Sequence, residues 1–203
     1  MFNQGLSLDQ APPISIPFRF FLSAPIFGVL ISLVFFLSPF NEISNQYSYL
    51  AIGVVHLFTL GILSMIIFGA MQQMMPVLAG AIIKKPRLFA NIVHPSLVLG
   101  TLFMSFSFIF EIKILLHIGV FFLTISFLTF FIFSIKLLFK VEFLTSTVKA
   151  MRLFSIAGFI TLILGLYLAI GHMSSNIGEQ HYAFVNMHIL FALFGFALLI
   201  IMG

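Results

Sequence analysis

The fold is decided by long apolar runs, and the clearest of them extends from Leu50 to Met75 and reads LAIGVVHLFTLGILSMIIFGAMQQMM. This run contains no Asp, Glu, Lys or Arg. It is longer than the roughly 20 residues that an α-helix needs to cross a hydrocarbon core about 30 Å thick. We therefore predict a membrane-spanning helix here.

The composition extends this interpretation to the whole chain. Of its 203 residues, 62% are hydrophobic and only 7% are charged, against roughly 25% charged residues in soluble domains. Nine basic and five acidic residues cannot cover a globule of this size with a polar surface, which excludes a water-soluble fold. Cysteine is absent, so disulfides, thiolate metal sites and thiol nucleophiles are excluded as well.

Six apolar runs long enough to span a bilayer follow one another with short connections. We predict an all-α fold, a polytopic membrane helix bundle of about six transmembrane helices, with residues 1–203 forming a single transmembrane domain. The predicted spans cover about residues 18–37, 50–75, 88–110, 115–139, 153–170 and 182–202.

The basic residues set the orientation, because Lys and Arg are concentrated in cytoplasmic loops. With both termini inside (N-in/C-in), Lys113 is the only basic residue in the outer loops. This distribution accounts for the net charge of +4 without a nucleic-acid partner, and it leaves the lipid bilayer as the main partner. The basic residues on the inner side are Arg19, Lys84, Lys85, Arg87, Lys136, Lys140, Lys149 and Arg152.

Most histidines are predicted on the outer side, at the outer ends of spans or in an outer loop. Ionisable side chains inside a bilayer mark functional sites by default, and neutral imidazole is a common metal ligand. Near the membrane surface, an imidazole also keeps its polar tip in the headgroup region without any further role. The outer histidines are His56, His117, His172, His181 and His188, and only His94 lies near the inner face.

Small residues share helix faces with some of these histidines. They either leave room for a porphyrin or let helices pack closely, and both interpretations remain open. On an even helix, Gly61, Gly69 and Gln72 form a stripe opposite His56. Heptad spacing relates Gly158, Gly165 and His172 in the fifth span and His188 and Gly195 in the sixth.

Two segments resemble a known family. The segment from His56 to Gly80, HLFTLGILSMIIFGAMQQMMPVLAG, resembles the histidine-bearing second helix of the superfamily around haem-copper oxidase subunit I. The likeness is closer to its non-oxidase relatives, bacterial multi-span proteins that include a haem- and copper-containing kind linked to nitric oxide response. The segment from Asn186 to Gly203, NMHILFALFGFALLIIMG, looks like another such helix. The shared residues are a histidine near the outer end, Gly61, Gly69, Gln72 or Gln73, Pro76 and Gly80, and a similar glycine spacing at Gly195 and Gly203.

The resemblance implies haem held by histidines of separate helices in a bacterial inner membrane, for electron transfer or for handling a small gas such as NO or O₂. His56 and His188 are the expected axial ligands, and His117 and His172 are alternative metal ligands. The resemblance also makes copper a possible cofactor. The chain, however, lacks the His-Pro-Glu-Val-Tyr segment and the His-His pair that hold copper in the oxidases. Its single His-Pro, at His94, is followed by Ser96 and Leu97, so a dioxygen-reducing copper centre is not predicted.

The predicted number of spans is half of the twelve typical of that superfamily. The chain is therefore expected to correspond to an N-terminal half or to a truncated reading frame. The expected partners are a second half of the bundle or other membrane subunits.

Two other functions compete with haem binding. A transporter-like bundle could use the outer histidines to handle protons or metal ions, but Glu42, Glu111, Glu142 and Glu179 all lie in loops or at a helix end rather than in mid-membrane. A non-catalytic assembly subunit is the second alternative. Motifs of soluble enzymes are absent, and a hydrolase built on Ser64 or Ser174 lacks an acid partner. The sequence does not decide whether the protein is an enzyme.

Overall fold

The computed structural model describes residues 8–45, 48–174 and 178–202, and these residues form helices and connections without any strand. Six helices are long and apolar enough to cross a membrane. They confirm the all-α bundle and the six spans, and the chain is a multi-pass membrane protein. The helices are α1 (Ser15–Leu37), α2 (Tyr49–Ala79), α3 (Pro86–Ile109), α4 (Lys113–Leu138), α5 (Ser146–Ser174) and α6 (His181–Met202).

Helices α5 and α2 extend furthest beyond the predicted spans on the inner side. Helix α5 begins at Ser146 rather than near residue 153, because Arg152 turns its guanidinium toward backbone carbonyls and so fits inside the first turns. Helix α2 continues past Pro76 to Ala79 and ends at Gly80, whose φ of 64° is the left-handed conformation that glycine adopts at helix ends.

The helices pack mainly against their neighbours in the chain, with the most extensive contact between α3 and α4. Helix α2 is central and contacts α1, α3, α4 and α5, whereas α6 lies along α5 at the edge. Half of the apolar window of α2 is buried, against 6% of that of α6. We call the outer end the one that holds Leu37, Tyr49, Ile109, Lys113, Ser174 and His181, and the opposite end the inner end.

A group of buried phenylalanines forms the centre of the bundle. Phe68 of α2 and Phe130 of α4 stack with ring centroids 3.7 Å apart and an interplanar angle of 3°. Such aromatic pairs add to the stabilisation that burial alone gives. Four further rings contact this pair or one another, namely Phe127, Phe131, Phe154 and Phe196.

Both α2 and α6 contain a π-helical segment, Thr59–Ser64 and Phe191–Leu198 respectively. Each begins within one turn after a histidine, His56 or His188. A π turn closes its hydrogen bonds one residue later than an α turn, so the residues beyond it are rotated by roughly 100°. The even-helix calculation that placed Gln72 opposite His56 is therefore wrong.

Candidate functional site

Four histidines of three helices gather near the outer end: His56 of α2, His172 of α5, and His181 and His188 of α6. We call them the outer histidine group. His172 contacts His181, and Phe108 contacts both His56 and His172. The structure thus brings together histidines that are far apart in the sequence.

His172 is the member with the most aromatic neighbours. Its ring centroid lies 5.5 Å from that of His181 and 5.5 Å from that of Phe108, both in edge-to-face geometry. Tyr49, at the start of α2, is 6.0 Å away. His181 is 9% exposed, which makes it the most buried residue of the first turn of α6.

His56 is oriented by its own helix and by α3. Its Nδ1 donates a hydrogen bond to the carbonyl oxygen of Ile52 at 2.8 Å. Its ring stacks on Phe108, with centroids 6.1 Å apart and planes 19° from parallel. Phe108 therefore contacts both His56 and His172 and connects α2 to α5.

His188 is oriented by the neighbouring helix. Its Nδ1 donates to the carbonyl oxygen of Thr161 in α5 at 3.1 Å. A Cβ atom placed on Gly165 would lie 3.0 Å from Cε1 of this ring, so the absence of a side chain at Gly165 leaves room for the imidazole.

The two hydrogen bonds to carbonyls fix the tautomer of His56 and His188. A carbonyl oxygen only accepts, so in each ring Nδ1 carries the proton and the neutral ring presents a lone pair on Nε2. Among the described residues, no hydrogen bond reaches Nε2 of either ring. Metal-binding histidines commonly have this arrangement, since the second nitrogen holds the ring in place.

The remaining two histidines lie apart from this group. His117 is exposed, and its Nδ1 donates to the carbonyl oxygen of Lys113 at 3.0 Å. His94 lies near the inner end, where its Nε2 is 2.8 Å from Oγ of Ser23. In the described part of the chain, no group of three or more His, Asp or Glu residues could hold a metal ion. His117 and His172 as alternative metal ligands remain a prediction.

The small residues serve helix packing. Gly61 contacts Phe27 of α1, Gly158 contacts Phe131 of α4, and Gly195 contacts Ala157 of α5. At these three positions the space is filled by protein side chains, which supports the packing interpretation there. Gly203, which completes the glycine spacing of α6, lies outside the described residues.

Sequence reasoning missed the groups that orient the histidines. Phe108 is one of 29 phenylalanines and has no feature that distinguishes it in the sequence. The carbonyl oxygens of Ile52 and Thr161 are backbone atoms and leave no sequence signal at all. Their roles follow only from how α3 and α5 pack on α2 and α6.

Comparison of the chain with protein-family models, curated proteins and solved structures finds no match.

Proposed function

We propose that this protein binds haem in a bacterial cytoplasmic membrane, with His56 and His188 as axial ligands, and that it transfers electrons or binds a small gas. One observation carries the proposal: these two histidines, on separate helices, both have Nδ1 bound to a backbone carbonyl and Nε2 free of hydrogen bonds within the described residues. The helices that carry the two rings, α2 and α6, both pack against α5.

The donor set fits a haem iron, which neutral imidazole nitrogens bind in many proteins. When bound, haem supplies the redox or gas-binding chemistry, while the protein sets ligand identity, burial and hydrogen bonding. In this chain, Ile52 and Thr161 hold the rings, and Phe108 covers one face of His56. Two histidine ligands favour electron transfer, and one ligand with an open position favours gas binding.

The test is the dithionite-reduced minus oxidised absorption spectrum of the protein purified in detergent from haem-replete cells. We expect haem bands in the native protein and their loss or displacement in His56→Ala and His188→Ala. The matched control is His117→Ala, because His117 lies in the first turns of α4 and its Nδ1 also donates to a carbonyl. That variant is expected to keep the native spectrum. A folded but colourless native protein, or an equal effect of all three variants, would exclude the proposed ligands.

A second candidate is the handling of protons or metal ions by the outer histidine group. It is favoured by the edge-to-face contact of His172 and His181, whose ring centroids are 5.5 Å apart. Metal analysis of the purified protein and ion flux into proteoliposomes test it. Flux that stops in His172→Ala, in a preparation without haem bands, would favour this candidate over the first.

A further inference from the structure

Hydroxyl groups in these helices usually bond to their own backbone. Ser23, Thr124 and Ser155 each donate to the carbonyl oxygen one turn earlier, at 2.9, 2.7 and 2.8 Å. This bond satisfies a hydroxyl inside an apolar bundle. Four buried atoms in α2, α3 and α4 depart from the pattern and have no hydrogen-bond partner among the described residues: Gln72 Oε1, Thr101 Oγ1, Ser105 Oγ and Ser134 Oγ.

Two of these atoms are brought together by the register of α2 and α4. The two helices run in the same direction, since one helix separates them in the chain, and they meet at the stacked rings of Phe68 and Phe130. Gln72 follows Phe68 by one turn, and Ser134 follows Phe130 by one turn. Both polar side chains therefore lie just inward of the stack, on the faces where α2 and α4 approach each other.

Both groups are removed from bulk solvent. Gln72 is 2% exposed and Ser134 is 0% exposed. The amide orientation of Gln72 is set, because its Nε2 donates to the carbonyl oxygen of Phe68 at 3.1 Å. Its Oε1 therefore needs a donor, and the hydroxyl of Ser134 needs a partner that accepts or donates. Buried polar atoms without such partners destabilise a fold, so native proteins satisfy nearly all of them.

We propose that the inner half of the α2–α4 interface binds an internal water molecule between Gln72 Oε1 and Ser134 Oγ. Water donates two hydrogen bonds and accepts two, so one molecule satisfies both atoms. The Phe68–Phe130 stack lies on the outward side of the two atoms. The site is independent of haem and of the outer histidine group.

The test is the equilibrium unfolding of the full chain in mixed detergent for Ser134→Ala, for Gln72→Met and for the double variant. If water connects the two side chains, each single change shifts the unfolding equilibrium toward the unfolded state by about 5-fold to 30-fold. The double variant then loses little more than one single variant, because both changes remove the same bridge.

The matched control is Ser155→Ala. Its hydroxyl is as buried as that of Ser134, at 0% exposure, but it donates to Met151 of its own helix. We expect a shift of less than about threefold, since this bond contributes little to helix stability. A dry site would reverse the result: Ser134→Ala would leave stability unchanged or raise it by removing an unsatisfied atom. That result, or additive effects in the double variant, overturns the proposal.

A second measurement needs no variant. Radiolysis converts bound water into hydroxyl radicals that oxidise the side chains beside it. Met75 lies one turn from Gln72 and is 0% exposed, as is Met151 of α5. We expect Met75 to be oxidised at least several-fold faster than Met151 in the folded protein. Equal protection of the two methionines contradicts an internal water at this interface.

Discussion

Replacing Gly119 by alanine is expected to destabilise the bundle by about 3 kcal/mol, at the upper end of the usual effect of overpacking. A Cβ atom placed on Gly119 of α4 would lie 2.5 Å from the backbone nitrogen of Met104 and 2.8 Å from its Cα. Backbone atoms of a helix cannot rotate away as the end of a side chain does. The methyl group must therefore push α3 and α4 apart, and these helices form the most extensive contact of the bundle.

The control for this change is Gly28→Ala. A Cβ atom on Gly28 of α1 would meet only Ile62 Cδ1, at 3.9 Å, which is an ordinary van der Waals distance. Because alanine is favoured over glycine in a helix by roughly 0.5–1 kcal/mol, we expect this variant to be as stable as the native protein or slightly more so. Unfolding in mixed detergent, followed by circular dichroism, compares the two. Equal stability of both variants would show that the α3–α4 contact is not as close as described.

The architecture followed from the sequence because lipid imposes a simple requirement. A helix that crosses the hydrocarbon core satisfies its backbone internally and needs an apolar surface, so apolar length alone predicted all six spans. The helix ends were less predictable, because a charged residue there can form hydrogen bonds to backbone carbonyls that the composition does not reveal. Arg152 lies inside α5, although the apolar run begins only after it.

For the candidate site, the sequence predicted which histidines share one end of the bundle but not their contacts. Charge bias and position along each span placed His172 and His181 at the same end, and the structure joins them. His117 is exposed, and no sequence rule states which face of α4 meets the bundle. The π segment after His56 was also unpredictable, since its sequence, TLGILS, contains no proline or charged residue that would mark it.

Replacing Arg152 by methionine is expected to destabilise the protein by about 1.5–3 kcal/mol, the range for hydrogen bonds to charged groups. The guanidinium of Arg152 connects the start of α5 to the end of α4. Its Nε and Nη2 donate to the carbonyl oxygen of Leu138 at 3.0 and 2.8 Å, and Nη2 also donates to that of Val141 at 2.7 Å. Carbonyls at a helix end have no partner within the helix, and a positive charge there is favourable.

Lys149→Met separates this effect from the loss of a positive charge. Lys149 lies one turn earlier on α5 and is exposed, so its replacement removes the same charge from the inner end without removing these bonds. We expect a change below about 0.5 kcal/mol, as for most surface substitutions.

Arg152→Lys should recover only part of the stability, because an ammonium group lacks the planar fork that reaches two carbonyls at once. If Arg152→Lys is fully stable, the charge at the end of α4 is sufficient and the fork geometry is not needed. If Arg152→Met matches Lys149→Met, the connection between α4 and α5 does not depend on Arg152.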